Sequence, residues 1–329
     1  MTNSPAQPLA DRLLLYLRRQ TDVVPVPSLL KRFHIDNDTL NSALKEITGW
    51  GYRVKKMRGI VKYVKAPDFL TSTEIQFGLK AKRMGRAAHC YKSVKSTNDL
   101  AALMAEQGAP EGTIVIAEQQ TQGRGRLGRS WHSPEHAGVY LSIVLRPNFT
   151  PDKAPGLSLM TALALADTLS RYCPGEVCIK WPNDLLISSR KVAGILTELS
   201  AERGKINHVV VGVGINVNQR ADDFPDELRA IATSLRRVTK KSTNRAELLC
   251  EFLYRFEQEY AKYVKSGLRP SRKRLRNYSA LLGHQVKLLS SSQELEGKAV
   301  DIDTDGALVL ECRGSRVRIS AGEVSIVKQ

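Results

Sequence analysis

Residues Gly123-Arg124-Gly125-Arg126-Leu127-Gly128-Arg129-Ser130-Trp131 place three guanidinium groups in a loop hinged by three glycines. Glycine lets the backbone turn N–H groups toward an anion at close range, and arginine adds a planar, permanently charged fork that matches carboxylate and phosphate. The loop is built to hold anions. A second polar segment, Lys180-Trp181-Pro182-Asn183-Asp184, lies further on and is followed, after a short hairpin, by Lys191. The three glycines satisfy G-x-G-x-x-G, the fingerprint of a dinucleotide fold. That fingerprint needs a strand before it and a helix after it, whose N-terminus meets the pyrophosphate. Residues 113–117 read as a strand, but Ser130-Trp131-His132-Ser133-Pro134 and the alternating run 138–145 follow, so the helix is missing. The plain alternative is a solvated basic turn.

The neighbours of the loop decide against that alternative. In chain order they are Ser96-Thr97-Asn98, Glu118-Gln119-Gln120, the loop itself, Lys180 to Asp184, Lys191-Val192-Ala193-Gly194-Ile195-Leu196, and Gly212-Val213-Gly214-Ile215-Asn216-Val217-Asn218, with Phe224-Pro225 and Ala232-Thr233-Ser234-Leu235 beyond. Segments of this kind, in this order and spacing, are far more specific than any one motif. With them the chain resembles the biotin protein ligases, of the bifunctional ligase/repressor type, over most of its length.

The resemblance implies a two-step reaction. The carboxylate of biotin attacks the α-phosphorus of ATP, with Mg²⁺ accompanying the nucleotide, to give biotinyl-5′-adenylate and pyrophosphate. A lysine of the biotin carboxyl carrier protein of acetyl-CoA carboxylase then takes the biotinyl group. Both nucleophiles come from substrates, which agrees with a sequence that has neither a G-x-S-x-G elbow nor a Cys/His pair suited to covalent catalysis. Matched to the family, Lys191 and Arg126 serve the reacting carboxylate and phosphate. Asp184 has three open roles: holding Mg²⁺, orienting the acceptor lysine or bracing Lys191. Ser96, Thr97, Asn98, Gln120, Arg124, Gly125, Arg126, Lys191 and Gly194 form the biotin set, the hydroxyls and amides addressing the ureido head and Gly194 leaving room for a ring. Arg129, Trp131, Asn183 and Asn216 form the nucleotide set, Trp131 by stacking. Ser96 to Asn98 is also a good helix N-cap, and Asn216 reads equally as the end of a structural strand. The Gly-Arg loop suits a lid that keeps water from the mixed anhydride, and the polar stretch 219–226 is expected to order over the nucleotide. Two other functions stay open: a DNA-binding biotin sensor without ligase activity, and a lipoate or octanoate ligase or transferase.

Composition adds bounds. With 42% hydrophobic and 25% charged residues the chain reads as globular, with no apolar run of membrane-spanning length and no signal-peptide pattern, hence cytoplasmic. Five scattered cysteines without a C-x-x-C pair suggest neither a disulfide framework nor a zinc site. The formal charge of +17 raises the expectation of a polyanionic partner.

The elements that must position these residues follow from periodicity. Apolar spacing predicts helices over 9–17, 26–33 and 39–49 and a hairpin with arms 53–56 and 61–65, a winged helix-turn-helix over residues 1–66. Its DNA contacts would be Asn37, Thr39 and Asn41 on an acidic-start recognition helix, and Lys55, Lys56 and Arg58, with Lys62 and Lys65, on the wing. A connecting segment with a helix over 72–82 occupies 67–89. The catalytic domain, 90–278, has strands at 113–117, 138–145, 177–180, 184–187, 192–200 and 208–213 and helices at 97–107, 157–172 and 245–265. That order predicts an α+β domain, a mixed sheet with helices on one face, which the resemblance makes class II synthetase-like. Residues 279–329, with runs at 286–289, 297–302, 307–310 and 317–320, read as a small barrel, SH3-like by resemblance. The family also implies a ligand-dependent homodimer paired through sheet edges, and operator DNA as a partner.

Overall fold

Leu13, Leu14 and Leu17, spaced along one side of α1 (Leu9–Arg18), are buried against Leu29 of α2 (Val26–Phe33) and Leu40 and Ile47 of α3 (Asn37–Gly49). Proline at the start of α2 suits a position whose N–H would be unpaired anyway, and His34 ends that helix in the left-handed conformation. The Asp36 side chain accepts from Thr39 N at 2.8 Å and caps α3, a bond that holds its carboxyl below the ordinary value. A small antiparallel sheet, β1 (Val24–Pro25), β3 (Ile60–Lys65) and β2 (Arg53–Met57), closes this core, with Gly59 at φ 77° in the turn. In the computed structural model, which describes residues 8–289 and 294–327, these elements form one compact unit, Met1–Phe69; Leu70–Gln329 form the other. The side chain of Lys65 lies outside the described part.

The second unit opens with α4 (Ser72–Gly78), shorter than the helix expected to residue 82. The backbone N–H groups of Lys82, Arg83 and Met84 turn to the Glu257 carboxylate instead of continuing the helix. Its sheet has seven strands in the order β4 (Ala88–Val94), β5 (Ile114–Gln120), β6 (Gly138–Leu145), β10 (Lys205–Asn216), β9 (Arg190–Glu202), β8 (Asp184–Ile187) and β7 (Val177–Lys180). Only β4 and β5 run parallel, so the sheet is mixed.

Strand alternation divides its two faces. Ile114 and Ile116, Leu141, Ile143 and Leu145, and Val209, Val211 and Val213 join the large core under α6 (Pro155–Leu169) and α9 (Arg245–Ser266). Val115, Val144 and Val210 point the other way, onto Ala101 and Ala105 of α5 (Thr97–Glu106). The expectation of helices on one face is therefore corrected. The long apolar helices share one face, and the short, alanine-rich α5 lies on the other, a choice that element order does not encode.

Short helices α7 (Asp226–Arg229) and α8 (Leu235–Thr239) link β10 to α9, and α10 (Arg272–Tyr278) leads to a five-stranded antiparallel sheet. Its order is β14 (Ser315–Ile319), β13 (Leu308–Cys312), β12 (Glu294–Ile302), β11 (Gln285–Leu289) and β15 (Glu323–Ile326), the last a strand that the periodicity did not predict. Trp181, 2% exposed, donates its indole N–H to Gly306 O at 2.9 Å and ties this sheet to the segment before Asn183.

Candidate active site

A cleft of about 460 Å³, its open mouth included, lies on the α5 face of the sheet. It is lined by Ser96, Thr97 and Asn98 at the start of α5, Gln120 at the end of β5, Arg124, Gly125, Arg126 and Trp131 of the loop, Asn183, and Lys191 and Gly194 of β9. Of the residues singled out by sequence, Asp184 sits behind this lining, while Arg129 and Asn216 are not brought into it. Asn216 is 4% exposed at the end of β10 and accepts from Gln219 Nε2 at 3.2 Å. Arg129 reaches away to Glu323 of β15 with two bonds of 2.6 Å. Those bonds hold the Glu323 carboxyl below its ordinary value and raise the pKa of Arg129.

The floor is made of glycine. Gly194 and Gly214 are paired across β9 and β10, and a Cβ on either would press on the indole of Trp131; a Cβ on Gly212 would overlap the Asn98 amide. Side chains from the loop and from α5 can lie flat on the sheet only because these positions carry none. Trp131 Nε1 is buried without a hydrogen-bond partner.

Lys191 arrives through the β8–β9 turn, whose Ser188 and Ser189 both have positive φ, the geometry of a tight hairpin. Its backbone is clamped by Lys191 N to Ile231 O at 2.8 Å and Thr233 N to Lys191 O at 2.9 Å. The ammonium meets Asp184 Oδ1 at 2.8 Å and lies 5.2 Å from the centre of the Trp131 ring. Of the three roles open to Asp184, bracing Lys191 is the one this geometry contains. Arg126 donates to Asn183 Oδ1 at 2.8 Å. Arg124 bonds Asp99 at 2.5 Å and Glu198 at 3.0 Å. The capping turn is engaged as well: Ser96 Oγ accepts from Asp99 N at 3.4 Å, the Thr97 N–H donates to Gln120 Oε1 at 2.9 Å, and the Thr97 hydroxyl oxygen lies 3.0 Å from that same Oε1.

Sequence reasoning missed Ser142, Glu198, Glu323 and the floor roles of Gly212 and Gly214. A trace of Ser142 was present: it interrupts the otherwise apolar-faced run of β6 and is fully buried. Glu198 and Glu323 carried no signal, since each meets its arginine only through the fold.

Two further clusters complete the electrostatics. Arg245, fully buried, donates to Glu118 Oε2 at 2.7 Å and to Gly138 O at 3.0 Å, beside the strand that ends in Gln120. On the N-terminal unit, Asn37, Thr39, Asn41, Lys55, Lys56 and Arg58 are all exposed, and Lys56 Nζ donates to Asn41 Oδ1 at 2.7 Å, joining hairpin and helix.

A cleft lined by Lys191, Arg124, Arg126 and the amides and hydroxyls of the capping turn, on a mixed sheet followed by a small antiparallel sheet, suits anionic ligands, and comparison with known proteins gives the family. Residues 90–216 match the Biotin/lipoate A/B protein ligase family, and residues 281–327 match the Biotin protein ligase C terminal domain. The chain is 37% identical over 284 residues to the bifunctional ligase/repressor BirA of Bacillus subtilis, covering 86% of this chain and 87% of that one. It is 36% identical over 235 residues to the biotin--[acetyl-CoA-carboxylase] ligase of Mycobacterium tuberculosis, covering 70% and 85%. Among solved structures, the biotin protein ligase from Aquifex aeolicus in complex with biotin and ATP superposes with a TM-score of 0.65 at 31% identity, covering 74% of this chain and all of that one. The chain belongs to the biotin protein ligase family.

Proposed function

We infer that the protein condenses biotin with ATP to biotinyl-5′-adenylate and passes the biotinyl group to a lysine of the acetyl-CoA carboxylase carrier protein. The observation that carries this reading is the convergence of Lys191, Arg124 and Arg126 with the amides and hydroxyls of the capping turn in one cleft. The first step must bring a carboxylate against a phosphate. Two like charges about 4 Å apart repel by about 4 kcal/mol at an effective dielectric constant of 20. Lys191, braced by Asp184 on one side and by the Trp131 face on the other, supplies the opposing charge at a fixed point. Arg126, held by Asn183, lines the same space and stabilises the acyl-phosphate oxygens. Trp131, with its unpartnered indole N–H, is assigned to the adenine, and Asn183 to the nucleotide.

Mg²⁺ enters with the nucleotide, as part of that substrate. Among the described residues no three His, Cys, Asp or Glu side chains cluster to hold a metal ion, and the one carboxylate at Lys191, Asp184, is already committed to the ammonium.

The N-terminal unit is assigned as a winged helix-turn-helix that binds operator DNA. Three helices, a hairpin and the exposed cations Lys55, Lys56 and Arg58 support this reading. At the acidic start of α3, the carboxylate of Asp36 is occupied as that helix's cap. We assign the five-stranded C-terminal sheet to an SH3-like barrel and the segments 1–66, 67–89, 90–278 and 279–329 to DNA-binding, connecting, catalytic and C-terminal parts. A ligand-dependent homodimer in the cytoplasm completes the reading, since two copies match two half-sites. Among the described residues no helix is long and apolar enough to cross a membrane.

The test is incubation with biotin, ATP and a carrier domain. Biotinylated carrier is expected; an unlabelled carrier would mark a sensor, and preferential lipoate adenylation would mark a lipoate ligase. A mobility-shift assay with and without biotin and ATP tests repression.

A further inference from the structure

We propose that Glu198 sets the hydrogen-bond polarity at the inner end of the cleft, so that this end selects a ligand presenting a ring N–H. The proposal rests on the ligase reading and assigns a new specificity-determining residue to it.

Asn98 Nδ2 donates to Glu198 Oε2 at 2.7 Å and faces Leu196 O at 3.5 Å. A carboxylate and a carbonyl only accept, so the Asn98 amide has one orientation, with Oδ1 turned to Ser142 Oγ at 2.5 Å. The single Ser142 proton is therefore committed to Asn98. Ser142 Oγ also lies 2.8 Å from Thr97 Oγ1, which lies 3.0 Å from Gln120 Oε1. Gln120 is fixed from its own side: Oε1 accepts the Thr97 backbone N–H at 2.9 Å, and Nε2 donates to Ser133 Oγ at 3.0 Å. Between the carbonyl oxygens of Asn98 and Gln120 stand three oxygen–oxygen contacts and only two hydroxyl protons.

One contact must lack a proton, and burial decides which. Ser142 is fully buried and cannot be reached from the cleft, whereas Thr97 and Gln120 line it. The stable arrangement sends the Ser142 proton to Asn98 and the Thr97 proton to Ser142. Thr97 Oγ1 and Gln120 Oε1 are left facing each other as acceptors. An N–H of a cyclic urea entering between them completes the chain. A ligand offering sulfur, a C–H or another acceptor leaves the opposed lone pairs buried, and sites built around such a bond reject analogues that lack it. Glu198 acts through Asn98 and Ser142 and is a positioning residue; its other contacts are to the Arg124 guanidinium, at 3.0 Å.

Glu198→Gln tests this. A carboxamide can donate to the Asn98 side, so the short bond that fixes Asn98 no longer requires its N–H; opposed only by the distant Leu196 O at 3.5 Å, Asn98 can flip and hand a proton to Ser142, which then passes one along to Thr97 and Gln120 and fills every contact. Adenylate formation is measured with biotin and with an analogue in which one ureido N–H is N-methylated. The wild type should prefer biotin by roughly a hundredfold or more. Glu198→Gln should raise the biotin KM on the order of tenfold and reduce that preference to a few-fold, with the KM for ATP and the transfer rate from preformed adenylate unchanged. Ser142→Ala, which lets Thr97 donate to Gln120, should reproduce the loss of preference should the first variant not fold. Arg124→Gln should lower activity yet keep the preference, separating the polarity effect from the lost ion pair. Full preference retained in both Glu198→Gln and Ser142→Ala, or an equal loss for biotin and its analogue, would overturn the proposal. Absence of adenylate in the wild type would instead overturn the ligase reading beneath it.

Discussion

In the cleft, each cation is held by a partner: Lys191 by Asp184, Arg126 by Asn183, Arg124 by Asp99 and Glu198. On the N-terminal unit, Lys55 and Arg58 project exposed from the β2–β3 hairpin, and Lys56 is steadied by Asn41. The two regions carry the same charge and use it differently. Joining a carboxylate to a phosphate needs positive groups fixed to a fraction of an ångström before the reaction, because reorganisation during it would cost rate. Neutralising a phosphate backbone needs charge density and tolerates mobile side chains, because the free energy comes from released counterions.

This contrast predicts separable losses. Lys191→Met should lower adenylate formation by about 10²–10³-fold, the usual effect of deleting one fixed electrostatic donor, while DNA affinity without ligand stays at the wild-type value in a mobility-shift assay. Equal losses in both would break the comparison. Arg245→Ala removes the guanidinium from buried Glu118, whose carboxylate keeps the Leu70 N–H and His136 beside it, and thermal unfolding should show about 3 kcal/mol of destabilisation. No single substitution on the hairpin should approach that. Replacing Lys55, Lys56 and Arg58 together with alanine should weaken DNA binding across all sequences and flatten the dependence of log affinity on log salt by about 0.9 per phosphate contact removed, with adenylate formation unaffected.

The smallest expected effect is a pH dependence at the loop. Glu323, hydrogen-bonded to Arg129, has a folded-state pKa below its ordinary 4.5. Its contribution is therefore fully present above that ordinary value and is lost as pH falls through the lowered one. Limited proteolysis of the Gly-Arg loop should show wild type better protected than Glu323→Gln at neutral pH. The two should become alike as the solution is acidified well below pH 4.5.

Much of the cleft was legible because its chemistry restricts residue type: anion contacts call for arginine, lysine and glycine, and amide recognition calls for Ser, Thr, Asn and Gln at a cap. The hydrophobic periods of 2 and 3.6 gave most strands and helices to within a few residues, yet a period reports only that a face is buried. It does not name the layer that buries it, so element order alone does not tell that α5 lies on the face opposite α6 and α9. Position in space was the other gap. Arg129 reads like its loop neighbours but extends to β15, and Asn216 follows a glycine-rich strand yet turns inward to Gln219. Glu198 and Ser142 come from strands far from the motif they serve, and only the assembled sheet brings them beneath it.

The central claim is that one cleft aligns both anions of the activation step. Mixing the protein with biotin and ATP, without carrier, and following pyrophosphate tests it directly. The account predicts a rapid burst approaching one pyrophosphate per cleft, with the adenylate retained and the burst abolished in Lys191→Met. A missing burst, or one that survives the loss of Lys191, would contradict it.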